Sequence, residues 1–345
     1  MMLSGKRDLA AALIVRAGLV RPLAAAYSSS LHRLRVLAYH RVLPRSTEPG
    51  FDYDIELVSA WEDEFDWQMR YLARNHEVIT CHELAQLIDA GRPVPRRAVI
   101  VTFDDGYQDN HDVVLPILRR HGVPAVVFVA TGYMDSRETY WYDQLVHWML
   151  RVERAELDLP GGGTRLHVGG DQAARRRTAQ AALKHLKVLP EGLRRETIDA
   201  WRRALGAPAC DEFSGNNGPM SWGQVKALAD AGIEIGSHSV THPVLANVAD
   251  DEQLERELVD SKAQIEARTG QQVVSLAYPV GGPGAYSERV VEFVRRAGYR
   301  FGFTYESGVI DLHRMDPFRL RRLAVERYIS RERFQATLAM PPLFS

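Results

Sequence analysis

Two short segments hold side chains whose types and spacing could do chemistry. In TFDDGY, Thr102 to Tyr107, an apolar run ends in adjacent carboxylates, Asp104 and Asp105, followed by Gly106. Two like charges within a few ångströms raise each other's proton affinity unless a cation or hydrogen bonds offset them, so a metal beside one of them resolves the pair. The alternative is a solvated turn capping the next helix, since Asp before Gly is common in turns. In IGSHSVTHP, a strand-like IEIG leads to His238 and His242, four residues apart and followed by Pro243. At that spacing two imidazoles can lie on one side of a helical turn and share a metal; without a ligand role they are surface or core histidines. Joined by Asp105 from another strand end, they make a two-His, one-carboxylate site with open positions for water and substrate, which is the form of a catalytic centre.

The elements that must position these residues are legible in the hydrophobic pattern. Short β-branched runs at 35–39, 98–103, 125–130, 233–236, 273–278 and 300–305 read as buried parallel strands. Between them, 59–74, 111–121, 221–231, 251–268 and 287–297 carry apolar residues at helical spacing. Gly122, Gly232, Gly270 and Gly298 fall where such helices would stop. This alternation predicts an α/β protein, with a parallel sheet either doubly wound or closed into a barrel. Residues 134–218 break the rhythm with helical pieces at 143–154, 171–187 and 194–205, the GGG at 161–163 and the loop SGNNG at 214–218. That stretch is expected to be a mostly helical insertion into one domain spanning 35–330, followed by a C-terminal tail at 331–345.

TFDDGY followed by SHSVTH resembles the first two motifs of the polysaccharide deacetylases, carbohydrate esterase family four, also called the NodB-homology domain. The resemblance spans roughly 36–325. It implies a distorted (β/α) barrel of about seven parallel strands, a divalent metal held by one Asp and two His, and removal of acyl groups from N-acetylated sugars. Carried over by position, Asp104 is the general base and Asp105, His238 and His242 the metal ligands. Zinc is the first expectation for such mixed ligation, with iron, cobalt, nickel or manganese as alternatives.

The chain departs from the family pattern in two places. The third family motif carries an arginine that orients the base, but here SLAYPVGG has Ala277 at that position, followed by Tyr278, Pro279 and Val280. These three stay as candidates for the substrate and oxyanion side, through the backbone N–H near Val280. Tyr107 and Trp222 join them as aromatic candidates for the faces of sugar rings. The family's late leucine-x-histidine motif, the source of its general acid, is also missing, since the closing strand reads LRRLAV over 320–325. VLAYHRV, however, ends a strand in His40, as in the permuted poly-N-acetylglucosamine deacetylases, whose N-terminal Tyr-His strand supplies the acid. The resemblance therefore implies His40 as the acid, with a hydrogen-bonded strand-end histidine as the alternative. Arg319, Arg321 and Arg322 are candidates to replace the lost arginine or to bind an anionic part of the substrate, or else form a solvated edge. The aromatic run Tyr140 to Trp148 is expected mainly to pack the insertion, with one or two rings rimming the cleft.

Composition bounds the function classes. The chain has 345 residues, and 43 Lys plus Arg against 44 Asp plus Glu leave a formal charge of −1, without the basic excess of a nucleic-acid binder. Cys81 and Cys210 lack any CxxC or Cys/His spacing, so neither a disulfide framework nor a thiolate zinc site is indicated. Lys6 and Arg7 precede a short apolar stretch that Arg16 and Arg21 interrupt, a weak match to a signal peptide. The expectation for 1–34 is a helical segment that packs on the domain or rests on a membrane surface, in a cytoplasmic protein; export is the alternative. Two rivals stand beside the deacetylase reading. One is a non-haem iron oxygenase, which also uses two His and one carboxylate; the other is a catalytically inactive carbohydrate-binding protein of the same fold.

Overall fold

In the computed structural model, which describes residues 2–20, 22–23, 33–136, 138–208 and 217–344, seven parallel strands close into a barrel. They are β1 (Arg33–Tyr39), β2 (Ala98–Phe103), β3 (Val126–Val129), β4 (Glu234–Ser237), β5 (Ser275–Ala277), β6 (Phe301–Ser307) and β7 (Leu320–Ala324). Pairing runs in chain order from β2 through β7, and β1 closes the ring by lying between β7 and β2. The expected (β/α) barrel of about seven strands is what the chain forms, closed rather than doubly wound.

Side-chain alternation along the strands separates an inner from an outer core. Leu34, Val36, Ala98, Ile100, Val126, Phe128, Ala277, Phe301, Phe303 and Leu320 fill the inside. Leu37, Tyr39, Val99, Val101, Phe103, Val127, Val129, Ile235, Leu276 and Leu323 face the surrounding helices. Continuing that period of two past the strand ends puts His40, Asp104, His238, Tyr305 and Arg322 in phase with the inner residues, at or beside the barrel mouth. Gly236 keeps the inside packed: a Cβ there would lie 2.4 Å from the Phe128 ring.

The helices follow their predicted spans with local differences. The segment at 59–74 starts as a strand, Val58–Trp61, paired with Arg41–Leu43, and becomes helical only at Glu62–Asn75, where three acids open the first turn. The segment at 111–121 begins as a π turn over Asn110–Val114 before the α-helix Leu115–His121, and Gly122 ends it in the left-handed region at φ 62°.

The insertion has the three helices expected of it and one hairpin that was not. Trp141–Arg151 is a helix, but the GGG turn joins an antiparallel hairpin, Ala155–Asp158 with Arg165–Val168, before helices Gln172–Leu186 and Glu191–Ala204. A second core of Tyr140, Leu145, Met149, Leu183 and Trp201 holds these pieces together. Most of the loop SGNNG lies outside the described residues.

The N-terminal helix Met2–Arg16 packs on the helix Arg331–Ala339, with Ala11 against Ala336 and Phe344. Residues 331–344 are thus two docked helices rather than a loose tail, and the Arg35 Nε donates to the Leu338 carbonyl at 2.6 Å. Among the described residues no helix is long and apolar enough to cross a membrane.

Candidate active site

Each chemical side chain sits at the C-terminal end of a barrel strand, the end where ligands bind in parallel α/β folds. β2 ends in Asp104, whose N–H donates to the Tyr39 carbonyl at 2.9 Å. The chain then turns sharply: Asp105 adopts φ 75° and Gly106 φ 86°. A Cβ on Gly106 would stand 2.9 Å from the Val129 side chain, so only glycine fits after the two acids. The turn aims Asp105 away from Asp104, and the Tyr140 hydroxyl fixes it by donating to the Asp105 carbonyl at 2.6 Å.

The two histidines leave β4 in a loop, not on a helical turn as their spacing suggested. Ser239 and His242 take φ 65° and 54° in that loop. Glu257 holds it from the helix Asp251–Thr269, accepting from the Val240 and Thr241 N–H groups at 2.8 Å each. Four of the five non-glycine residues with positive φ among the described residues, Asp105, Ser239, His242 and Val280, ring this mouth; such backbone strain concentrates where function overrides local preference.

Ligand-capable atoms of Asp105, His238 and His242 lie within 4.8 Å of one another, all buried. The Asp105 Oδ1 is 3.4 Å from His238 Nε2 and 3.3 Å from His242 Nε2. The Ala277 carbonyl, 2.7 Å from His238 Nδ1, can only accept, so Nδ1 carries the proton and Nε2 keeps its lone pair for a cation. The buried Asp105 Oδ2 has no hydrogen-bond partner, which a divalent ion would supply. This donor set fits zinc or a similar ion.

Electrostatics separate the two imidazoles. Burial pulls the His242 ring down to about 4, against the pull of Asp105, and keeps it neutral. Burial also works against a charged His238, but its contact with Asp105 and the charges of both aspartates outweigh this and raise it. The Asp105 carboxyl, which burial alone would raise, is held well below the ordinary range by both imidazoles.

Asp104 is the second carboxylate, and Arg322 is its partner. The guanidinium reaches both oxygens at 2.7 Å from the inner face of β7 and outweighs burial, so the carboxyl stays below its ordinary value. Arg322 is buried, so the solvated-edge alternative does not apply to it. Arg319 instead pairs with Asp316 and Glu288, and Arg321 lies 3.7 Å from Glu306. His40 Nε2 stands 3.9 Å from Asp104 Oδ2, its ring edge-on to Tyr305.

His40, Asp104, Asp105, His238 and His242 line a cleft of about 210 Å³. Val280 reaches it and makes no backbone N–H bond among the described residues, but the other substrate-side candidates do not line it. Tyr278 is buried, stacks on Tyr286 and donates to the Phe318 carbonyl at 2.9 Å. Pro279 lies between them in the turn, outside the lining. Tyr107 is sealed in the insertion contact, donating to Asp143 at 2.6 Å. Trp222 opens the helix Trp222–Asp230 and packs in the outer core. The rings failed as cleft candidates because an apolar face pays more in packing than at an open rim. Tyr142 lines the cleft, one ring of the aromatic run expected to rim it, and Lys187, Asp54, Glu56 and Tyr305 line it without a motif to announce them.

A closed parallel barrel with an Asp-His-His cluster beside an Arg-held carboxylate at its strand ends defines a family of (β/α) barrel proteins. The sequence profile described as polysaccharide deacetylase matches residues 91–158 and 197–302, half of the chain, and the chain belongs to that family. The matched residues include Asp104, Asp105, His238 and His242; β1 with His40 and β7 with Arg322 lie outside them.

Among curated relatives, YxkH of Bacillus subtilis is 22% identical over 246 residues, 71% of this chain and 58% of YxkH. A poly-β-1,6-N-acetyl-D-glucosamine N-deacetylase of Staphylococcus epidermidis is 30% identical over 109 residues, 29% of this chain and 37% of that protein. The chain thus spans less than two thirds of the length of these relatives. Among solved structures, the Streptococcus pyogenes deacetylase PplD in complex with acetate superposes with TM-score 0.59 at 18% identity, over 90% of this chain and 99% of that one. IcaB from Ammonifex degensii gives TM-score 0.55 at 18% identity, over 89% and 96%. These likenesses show the shared fold.

Proposed function

We propose that the protein is a metal-dependent hydrolase that removes N-acetyl groups from a poly-N-acetylglucosamine-type saccharide. The observation that carries this reading is the convergence of Asp105, His238 and His242 on one point beside Asp104, with His40 on the other side of that carboxylate. A divalent ion held by the three ligands would supply Lewis acidity and make a water beside it far more acidic, close to neutrality. Asp104, kept ionised and aligned by Arg322, accepts the proton of the attacking water. His40 delivers a proton to the departing amine, leaving a free amino sugar and acetate. The Val280 N–H supports the developing oxyanion. Each proton transfer is worth about 100-fold to 10,000-fold in rate.

The order of the site residues supports the permuted deacetylase type, because the acid candidate comes from β1 and the base-holding arginine from β7. The intact set Asp104, Asp105, His238 and His242 weighs against an inactive sugar-binding protein, and strands alternating with helices weigh against the jelly-roll setting of the iron oxygenases. Exposed Leu9 and Leu13 beside Lys6, Arg7 and Arg16 support a peripheral membrane contact as part of the same reading.

The test is acetate release from N-acetylglucosamine oligomers, with and without a chelator and with zinc, iron, cobalt, nickel or manganese added back. Release that stops on chelation and returns with one metal is expected. In parallel, Asp105→Ala should lose metal and turnover together, whereas Asp104→Asn should keep metal and lose turnover. An Asp105→Ala protein with a full metal complement would overturn the ligand assignment.

A further inference from the structure

The insertion sends two hydrogen-bond donors into the catalytic cleft, and neither has an acceptor among the described residues. Tyr142, on the helix Trp141–Arg151, lines the cleft with its ring 5.2 Å from that of His242. Its hydroxyl is buried and takes part in no hydrogen bond with a described residue. Lys187 caps the helix Gln172–Leu186 and also lines the cleft. Its ammonium group makes no hydrogen bond or ion pair with any described residue. A buried hydroxyl orphaned like that of Tyr142 is rare in native structures, since it costs the desolvation of a group that water would otherwise satisfy; Lys187 is part-exposed. The orphaned Tyr142 hydroxyl, with the Lys187 side chain lining the same cleft from a separate element of the insertion, points to an occupant that brings its own acceptors.

The same wall identifies the occupant. Asp54 and Glu56 stand in it, so a substrate carrying its own negative charge is disfavoured there. Asp54 spends one oxygen, Oδ1, on the Glu56 N–H and Gln180, and Oδ2 makes no hydrogen bond with a described residue. Two donors beside a free carboxylate oxygen match the hydroxyls of a pyranose, each of which donates one hydrogen bond and accepts others. Bonds to a charged partner are the stronger kind. We propose that Tyr142 and Lys187, with Asp54, form the sugar-reading wall of the cleft, selecting an uncharged, hydroxyl-bearing amino-sugar ring next to the acetamide. This deepens the deacetylase reading and rests on it for the identity of the ring.

Binding, rather than turnover, tests the wall. In an Asp104→Asn background, titration calorimetry with an N-acetylglucosamine pentamer is compared with the same protein carrying Tyr142→Phe or Lys187→Met. Each should weaken binding by about ten-fold or more, the loss of one hydrogen bond of this kind. Metal content should not change, and the melting temperature of Tyr142→Phe should stay level or rise, because an orphaned hydroxyl is removed from the unliganded protein. If Lys187 only balances the charge of the neighbouring carboxylates, Lys187→Met lowers the melting temperature and binds within about two-fold of its parent, and the proposal falls. It falls equally if the Asp104→Asn parent binds no pentamer, or binds a uronic-acid-containing oligomer more tightly. If the pentamer binds through these two residues but the native protein releases no acetate from it, the wall stands and the deacetylase reading falls.

Discussion

At the residue scale the decisive contact is the fork between Arg322 and Asp104, because it accounts for a carboxylate that remains ionised in a buried position. Removing one partner of such a pair leaves the other charge uncompensated and costs about 3–5 kcal/mol. Arg322→Met should therefore lower stability by that order in a denaturant titration and raise the Asp104 carboxyl, so that the acid limb of the rate profile moves to higher pH. Arg322→Lys should keep the charge but lose the two-point grip, retaining most of the stability while turnover falls. Equal rates in Arg322→Lys and the native protein would show that orientation of Asp104 is unimportant. The sequence named Arg322 only as one of three neighbours. The reason is one of phase: Leu320 and Leu323 lie on opposite faces of β7, both buried, so no polar alternation tells which arginine points inward. Asp104, Asp105 and His238 were legible because they follow strongly apolar runs, and His242 because it stands four residues beyond His238 in a recognisable motif. Tyr142 was legible only as one ring of an aromatic run of which one or two were expected at the cleft, and Lys187 not at all, since a lysine ending a helix looks the same whether or not a cleft lies beside it.

At the scale of elements, the strands were readable and the turns between them less so. Buried parallel strands announce themselves as continuous β-branched runs, and all six that were expected are present within a few residues. The hairpin in the insertion was missed because its strands, AELD and RLHV, are short and mostly exposed, and only the GGG turn marks them. The helical spacing of His238 and His242 misled for a related reason: the loop's shape comes from Glu257, far along the chain, and not from local periodicity. Position 236 tests how tightly β4 must pack to aim His238. A methyl group there would meet the Phe128 ring at 2.4 and 2.5 Å and the Ser275 hydroxyl at 3.1 Å. Overpacking of this sort costs about 1–3 kcal/mol. Gly236→Ala should lower the denaturation midpoint accordingly and weaken metal retention, read by metal analysis after dialysis. A variant as stable as the native protein, with full metal, would mean that the barrel interior yields easily at this level.

At the scale of the whole molecule, the insertion and barrel are joined through a buried polar chain that also makes stability depend on pH. Arg41, beside β1, pairs with Asp109 at 2.9 Å and lies 4.3 Å over the Tyr107 ring. Tyr107 donates to Asp143 of the insertion at 2.6 Å, and the other Asp143 oxygen accepts from the Asp54 N–H at 2.9 Å. Burial pushes the Asp143 carboxyl from an ordinary 3.8 up to about 7, against the opposing pull of Arg41 and these hydrogen bonds. The folded protein thus holds this proton more tightly than the unfolded chain does. Its contribution to stability is complete below about pH 4, declines as pH rises toward 7, and is gone above that. For a buried group with so large a shift the effect is on the order of a few kcal/mol. Asp54 is raised by burial as well and adds to the same slope, so the contribution of Asp143 is isolated by a difference. Asp143→Asn keeps an acceptor for the Asp54 N–H and cannot ionise. Its melting temperature should gain on that of the native protein steadily between pH 5 and 7 and hold a constant lead at higher pH. Parallel curves across that range would show that Asp143 stays ionised in the folded state, and that the contact between insertion and barrel is an ion pair with Arg41 instead of a protonated carboxyl at a buried seam.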